Sequence, residues 1–163
     1  MTTFAYECYA DEDVFYFLRD GCKLLIERLH GYGQGEVVNE LLIRKRANLG
    51  MVDEDPLTTH HPLRDRMQVV STTNDLELRK RDDRHLIIVK PDLENCFLRG
   101  ARLARLESAL PARPQDLRRV LGIPDHPIHQ VFRRELNTLH QESKKRGMHT
   151  FVTELESMLR ALL

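Results

Sequence analysis

The residues of this chain that could do chemistry are acidic: Glu7 in YECYADEDVF, and Asp53 and Asp55 in LGMVDEDP. Each motif follows a short apolar run, so its acids would leave the carboxyl end of a buried strand. In a parallel α/β sheet such ends open onto one crevice. Carboxylates gathered there repel one another unless a cation is present. An all-oxygen donor set that leaves room for water suits Mg²⁺ or Mn²⁺ better than zinc. An ion so held can polarise a phosphoryl oxygen, and a second can help activate water and hold the leaving oxygen, which makes phosphodiester hydrolysis the matching reaction. Asp11 could cap the following helix and support the cluster. Lys90 could neutralise a phosphate, and Glu94 could orient the site from the first turn of a helix. Each also has a plainer reading, as a solvated loop acid, a helix cap, a solvated lysine or a first-turn acid.

The elements that must position these residues can be read from apolar spacing. Phe4, Tyr6 and Tyr9 mark a first strand over residues 3–9. Val14, Leu18, Cys22, Leu25 and Leu29 follow helical spacing, predicting a helix from Asp11 to about His30. After the glycines of HGYGQG, a second helix is expected over residues 35–46. Leu49 to Val52 is a brief buried strand that stops at DEDP, and Leu86 to Val89 is the clearest strand, followed by helical spacing through Leu93, Phe97 and Leu103. The charged stretch 56–84 reads as a solvated, mobile connection. Three helices follow, around residues 115–121, 128–145 and 150–163. Alternating strands and helices imply a parallel sheet flanked by helices.

Composition narrows the classes. The chain of 163 residues is 41% hydrophobic and 31% charged, which is globular usage. Lys plus Arg equal Asp plus Glu at 25 each, so no global field attracts a polyanion and any nucleic-acid surface must be local. Basic clusters at 44–46, 79–84, 133–135 and 144–146 could touch phosphates, but interleaved acids favour solvated faces. Cys8, Cys22 and Cys96 are far apart in apolar stretches and read as reduced core thiols. The opening has no basic leader, and no apolar run reaches the roughly 18 residues of a membrane span, so a cytoplasmic location with no membrane partner is expected.

Other motifs carry less. His60-His61 and the pair His126 and His129 lack the partners and spacing of a zinc site. Asp92 with Glu142-Ser143-Lys144 forms an acid-plus-ExK set, but the latter falls in a predicted helix. The absence of GxxxxGK[ST], GxSxG and GxGxxG argues against nucleotide hydrolysis, serine-hydrolase chemistry and dinucleotide binding.

YECYADEDVFYFL resembles the opening of Toprim domains, in which a strand-terminal Glu is followed four residues later by an acid that begins a helix; Glu7 and Asp11 match. LGMVDEDP is similar to the family's later strand ending in DxD, and LIIVKPDLENCFL to its next strand and helix. The resemblance covers about residues 3–108, and the family's usual glycine after the Glu is Cys8 here. It implies Mg²⁺-dependent phosphoryl transfer on DNA or RNA, as in nucleases of the overcoming-lysogenisation-defect family; related domains also occur in phage-defence systems. The expected organisation is an α/β, Toprim-like domain over residues 1–110 with a helical extension over 111–163. Two functions are carried forward. One is a nuclease using Glu7, Asp53 and Asp55 as metal ligands, with Asp11 and Lys90 in support. The other is a non-catalytic subunit whose C-terminal helices bind a protein partner such as an ATPase subunit, or a second copy of the chain.

Overall fold

The computed structural model describes residues 1–57 and 59–163. The chain is an α/β protein built on a six-stranded mixed sheet. Its elements run β1 (Thr2–Tyr6), α1 (Tyr9–Tyr16), β2 (Ile26–His30), α2 (Gln34–Leu42), β3 (Leu49–Asp53), α3 (Pro62–Asp65), β4 (Gln68–Thr72), β5 (Leu76–Arg81), β6 (Arg84–Val89), α4 (Leu93–Leu103), α5 (Pro114–Leu121), α6 (Ile128–Arg146) and α7 (Phe151–Leu162). Strand order is β2-β1-β3-β6-β5-β4. The first four in that order run parallel, whereas β5 and β4 are antiparallel to their neighbours.

The antiparallel edge corrects two expectations, a wholly parallel sheet and a mobile connection over residues 56–84. Leu76 and Leu78 are buried while Arg81 is exposed, the period of a half-buried strand. A turn at Asp82-Asp83, with Asp82 at a left-handed φ of 55°, leads straight into β6. So short a link can join only antiparallel strands. Outermost lies β4, exposed along its length, with a bulge between Val69 and Ser71.

The helix predicted from Asp11 to His30 is also corrected. Asp11 is not the cap but sits at the third helical position, where its Oδ2 accepts from the backbone N–H groups of Glu7 and Cys8, each at 3.3 Å. The α-helix gives way to a π-helical turn over Phe17–Gly21. Val14, Leu18 and Cys22 are buried as the stripe required, but Leu25 is 80% exposed and Leu29 belongs to β2. Helix α2 stops at Leu42, and the RKR segment beyond it is engaged locally: Arg44 and Arg46 both bind Glu40.

Alternate strand residues face opposite layers. Phe4, Tyr6, Leu49, Met51, Ile87 and Val89 join a large cluster with α1 and α4–α7. Ala5, Val52, Leu86 and Ile88 face Val37, Val38 and Leu41 of α2. Gly50 in β3 permits that second layer to close. A Cβ there would lie 2.6 Å from Leu41 Cδ1 and 2.9 Å from Val37 Cγ1. Gly50→Ala is therefore expected to destabilise the protein by about 1–3 kcal/mol, read as a lower urea midpoint.

The C-terminal helices share the large cluster. Phe132, Leu136 and Leu139 of α6 and Phe151, Leu155 and Leu159 of α7 are fully buried within it. A buried ion cluster anchors α6 to α1. Asp13 faces His129 Nδ1 at 2.5 Å and accepts from Arg133 Nε at 2.5 Å, and His129 Nε2 lies 2.8 Å from the Ile123 carbonyl. Among the described residues, no helix is long and apolar enough to cross a membrane.

Candidate acidic site

The topology brings the carboxyl ends of β1, β3 and β6 side by side, with register partners Tyr6–Met51 and Asp53–Val89. Glu7 leaves β1, Asp53 ends β3, and Asp92 and Glu94 begin α4 just after β6. These four and Asp55 line one cavity of about 560 Å³, together with His30, Tyr32 and Arg118. That volume is within the usual range for a small-ligand site. Asp11 lies behind the rim and is fully buried.

Backbone groups hold the acids in place. Asp53 Oδ1 accepts from Leu93 N at 3.0 Å, and Glu7 Oε2 accepts from Asp53 N at 3.3 Å, so the start of α4 orients Asp53 and the end of β3 orients Glu7. Asp55 adopts a left-handed φ of 38°, its N–H directed to the Pro91 carbonyl at 3.4 Å. Behind the DED segment stands a strut. Gln34 Nε2 donates to the Asp53 carbonyl at 2.7 Å, and Arg64, 2% exposed on α3, donates to Gln34 Oε1 at 2.6 Å.

Acidic groups are concentrated here, and Arg118 pairs with two of them, Asp92 and Glu94. Burial pushes the Asp11 carboxyl well above its ordinary range, and the neighbouring Glu7 charge adds to that. Asp53 is pushed well up by burial and then by Asp11, Glu94 and Glu7. Burial also raises Glu7 and Glu94, the latter partly offset by Arg118. One oxygen, Asp11 Oδ1, is buried with no hydrogen-bond partner among the described residues. A carboxylate in that state is costly unless it is protonated or meets a cation.

A pH dependence follows. In the unfolded chain these carboxyls ionise near pH 4, whereas the folded chain holds their protons to higher pH. Stability is therefore lost as pH rises from about 4 through the raised values. The metal-free protein is expected to melt at a higher temperature at pH 5 than at pH 8, and a divalent cation should shrink the difference. His85, lowered by burial, opposes this trend. Asp53→Asn, which leaves His85 in place, should flatten the profile. A metal-free wild type more stable at pH 8 would contradict the assignment.

Of the residues singled out from sequence, Glu7, Asp53, Asp55 and Glu94 meet at the cavity and Asp11 backs it. Lys90 is not among the lining residues; its backbone N–H donates to the Asp75 carbonyl at 2.7 Å. The cation at the rim is instead Arg118 of α5, 2.7 Å from Asp92 and 3.5 Å from Glu94. Sequence reasoning missed it, since only folding joins residue 118 to residue 92. His30 and Tyr32, also missed, stack at 4.1 Å with an interplanar angle of 15°. Tyr32 is 77% exposed.

The histidine motifs do not converge. His60 Nε2 lies 3.0 Å from the Asp55 carbonyl, His61 Nε2 3.0 Å from Asn39 Oδ1, and His126 Nδ1 accepts from Ile128 N. Asp92 and Lys144 of the ExK set line separate cavities. Among the described residues, one group brings three metal-ligand atoms within 4.8 Å of one another, and it lies elsewhere: Cys22, His140 and Glu156.

Set against known proteins, the chain matches no family model, no curated protein and no solved structure. Its class rests on the fold itself, an α/β protein with an acidic crevice at the carboxyl ends of its parallel strands.

Proposed function

We propose that the protein is a Mg²⁺-dependent, Toprim-like nuclease that hydrolyses phosphodiester bonds in DNA or RNA. The observation that carries this reading is the buried, unpartnered Asp11 Oδ1 amid carboxyls whose protons burial and mutual repulsion retain. Such a set is suited to a divalent cation. The cavity's acidic donors are oxygens, which fits Mg²⁺ or Mn²⁺. Mg²⁺ commonly keeps several of its waters when carboxylates hold it, and a cavity of about 560 Å³ has room for them.

Glu7, Asp53 and Asp55 would hold the ion, with Asp11 completing the negative field behind them. A bound ion would supply charge for a phosphoryl oxygen and lower the pKa of water. The chain's own groups do the positioning. Arg118, held at the rim by Asp92 and Glu94, offers guanidinium donors to a phosphate. The His30–Tyr32 stack presents an exposed aromatic face on which an unpaired base could rest, favouring single-stranded substrate. Water is the nucleophile, and a cavity carboxylate receives its proton. Of the apolar residues of α7, Phe151, Leu155 and Leu159 are buried in the core and are not available to a partner.

The test is calorimetry with Mg²⁺ and Mn²⁺, followed by incubation with labelled single- and double-stranded DNA and RNA in the same buffers and in chelator. Cation binding with cation-dependent cleavage is the expected result. Binding without cleavage would leave a metal-holding interaction subunit, and no binding would overturn the site.

A further inference from the structure

We infer that Cys22, His140 and Glu156 form a transition-metal site of the Zn²⁺ class, distinct from the acidic crevice and joining the turn after α1 to α6 and α7. Their ligand atoms all lie within 4.8 Å of one another. The Cys22 sulfur is 4.0 Å from His140 Nε2, and Glu156 Oε2 is 2.5 Å from the same nitrogen. That shared nitrogen decides between two readings. A nucleophilic relay needs the thiol on one ring nitrogen and the carboxylate on the other. Here sulfur and oxygen face the same nitrogen, so three potential ligand atoms surround a common place; His140 Nε2 donates its proton to Glu156 and would give it up to bind an ion.

The donor set is the mixed sulfur, nitrogen and oxygen set that zinc and cobalt accept and Mg²⁺ does not. Tetrahedral bonds of about 2.0–2.3 Å put ligand atoms roughly 3.3–3.7 Å apart. The sulfur–nitrogen pair is already near that, and the His140–Glu156 hydrogen bond would open to let the ion in. Arg160 Nε holds the other oxygen, Glu156 Oε1, at 2.9 Å, fixing the carboxylate from behind. Lys144 Nζ, 3.3 Å from Oε2, is on a side chain 58% exposed and can swing into solvent, leaving the fourth position for water. Cys22 directly follows the π-helical turn, a distortion that frequently marks functional positions. None of the three residues lines the acidic cavity.

The full chain, stripped by chelation, would be titrated with Co²⁺ and then back-titrated with Zn²⁺. A thiolate-to-cobalt charge-transfer band, saturating at one ion per chain and removed by Zn²⁺, is the expected result. It should vanish in Cys22→Ser, weaken at least tenfold in affinity in Glu156→Gln, and persist in Cys8→Ser and Asp53→Asn. Each variant's fold would be checked by circular dichroism, and if Cys22→Ser fails to fold, His140→Gln and Glu156→Gln give the same readout. No band in the wild type would overturn the site. So would a band that survives Cys22→Ser or disappears in Cys8→Ser, which would place the ion at the crevice.

Discussion

Asp53→Asn is expected to lower cation-dependent cleavage by about two to three orders of magnitude, the usual cost of losing one preorganised electrostatic group, while leaving the fold intact. The substitution is close to isosteric, and the amide oxygen can still accept from Leu93 N as Asp53 Oδ1 does at 3.0 Å. Its new NH₂ group carries no charge among the carboxyls that act on this position, Asp11, Glu94 and Glu7. What is removed is one charge from a buried set whose members raise each other. The metal-free variant should therefore melt above the wild type at neutral pH, and the stabilisation conferred by Mg²⁺ should shrink. Loss of activity with a gain in metal-free stability is a combination that ordinary structural damage does not produce. Cleavage rates equal to wild type would remove Asp53 from the site.

The second large effect is on folding. Phe132 of α6 is fully buried, its ring 5.1 Å from that of Phe97 at an interplanar angle of 80°. Phe132→Ala is expected to cost about 3–5 kcal/mol, the range for emptying a buried aromatic position. Because the cluster runs from α6 and α7 through α4 to β1 and β3, unfolding should remain one cooperative transition at a lower denaturant midpoint. Urea melts followed by circular dichroism and by tyrosine fluorescence would check this. If the helices melted while the tyrosines of the N-terminal half stayed native, residues 111–163 would be a separable unit.

Strands whose residues are buried on both faces were legible in the sequence, because Leu49 to Val52 and Leu86 to Val89 are short apolar runs with abrupt polar ends. That is also why Glu7 and Asp53 could be placed together: a strand end next to another strand end is a local reading plus one topological rule. The C-terminal helices were legible for a similar reason, their apolar spacing being regular. Reading failed where a local pattern fitted two structures. Val14, Leu18 and Cys22 do form a helical stripe, and Leu25 and Leu29 continue its spacing by accident, although the chain turns at Gly21 and starts β2 at Ile26. In β5 the charges of ELRKR masked the alternation of Leu76 and Leu78, since the outward residues of an edge hairpin are solvated anyway. Arg118, Tyr32 and the Cys22–His140–Glu156 group were out of reach for another reason. Arg118 and the Cys22 group depend on contacts between segments far apart in the chain, and the His30–Tyr32 stack, though local, gains meaning only from the cavity it shares with those distant segments.

The distance in sequence between Asp92 and Arg118, and between β5 and the helix α7 that packs on it, has a consequence for how the protein comes into being. Synthesis delivers the acidic strand ends first and the wall carrying Arg118 later. Helix α7, with Phe151 and Leu155 buried against α4, α6 and β5, emerges after that wall. Domains fold as units as the chain leaves the ribosome. A nascent chain stopped short of α7 therefore carries every crevice residue but leaves apolar surface on α4, α6 and β5 uncovered, so the crevice is assembled before the fold that supports it is sealed.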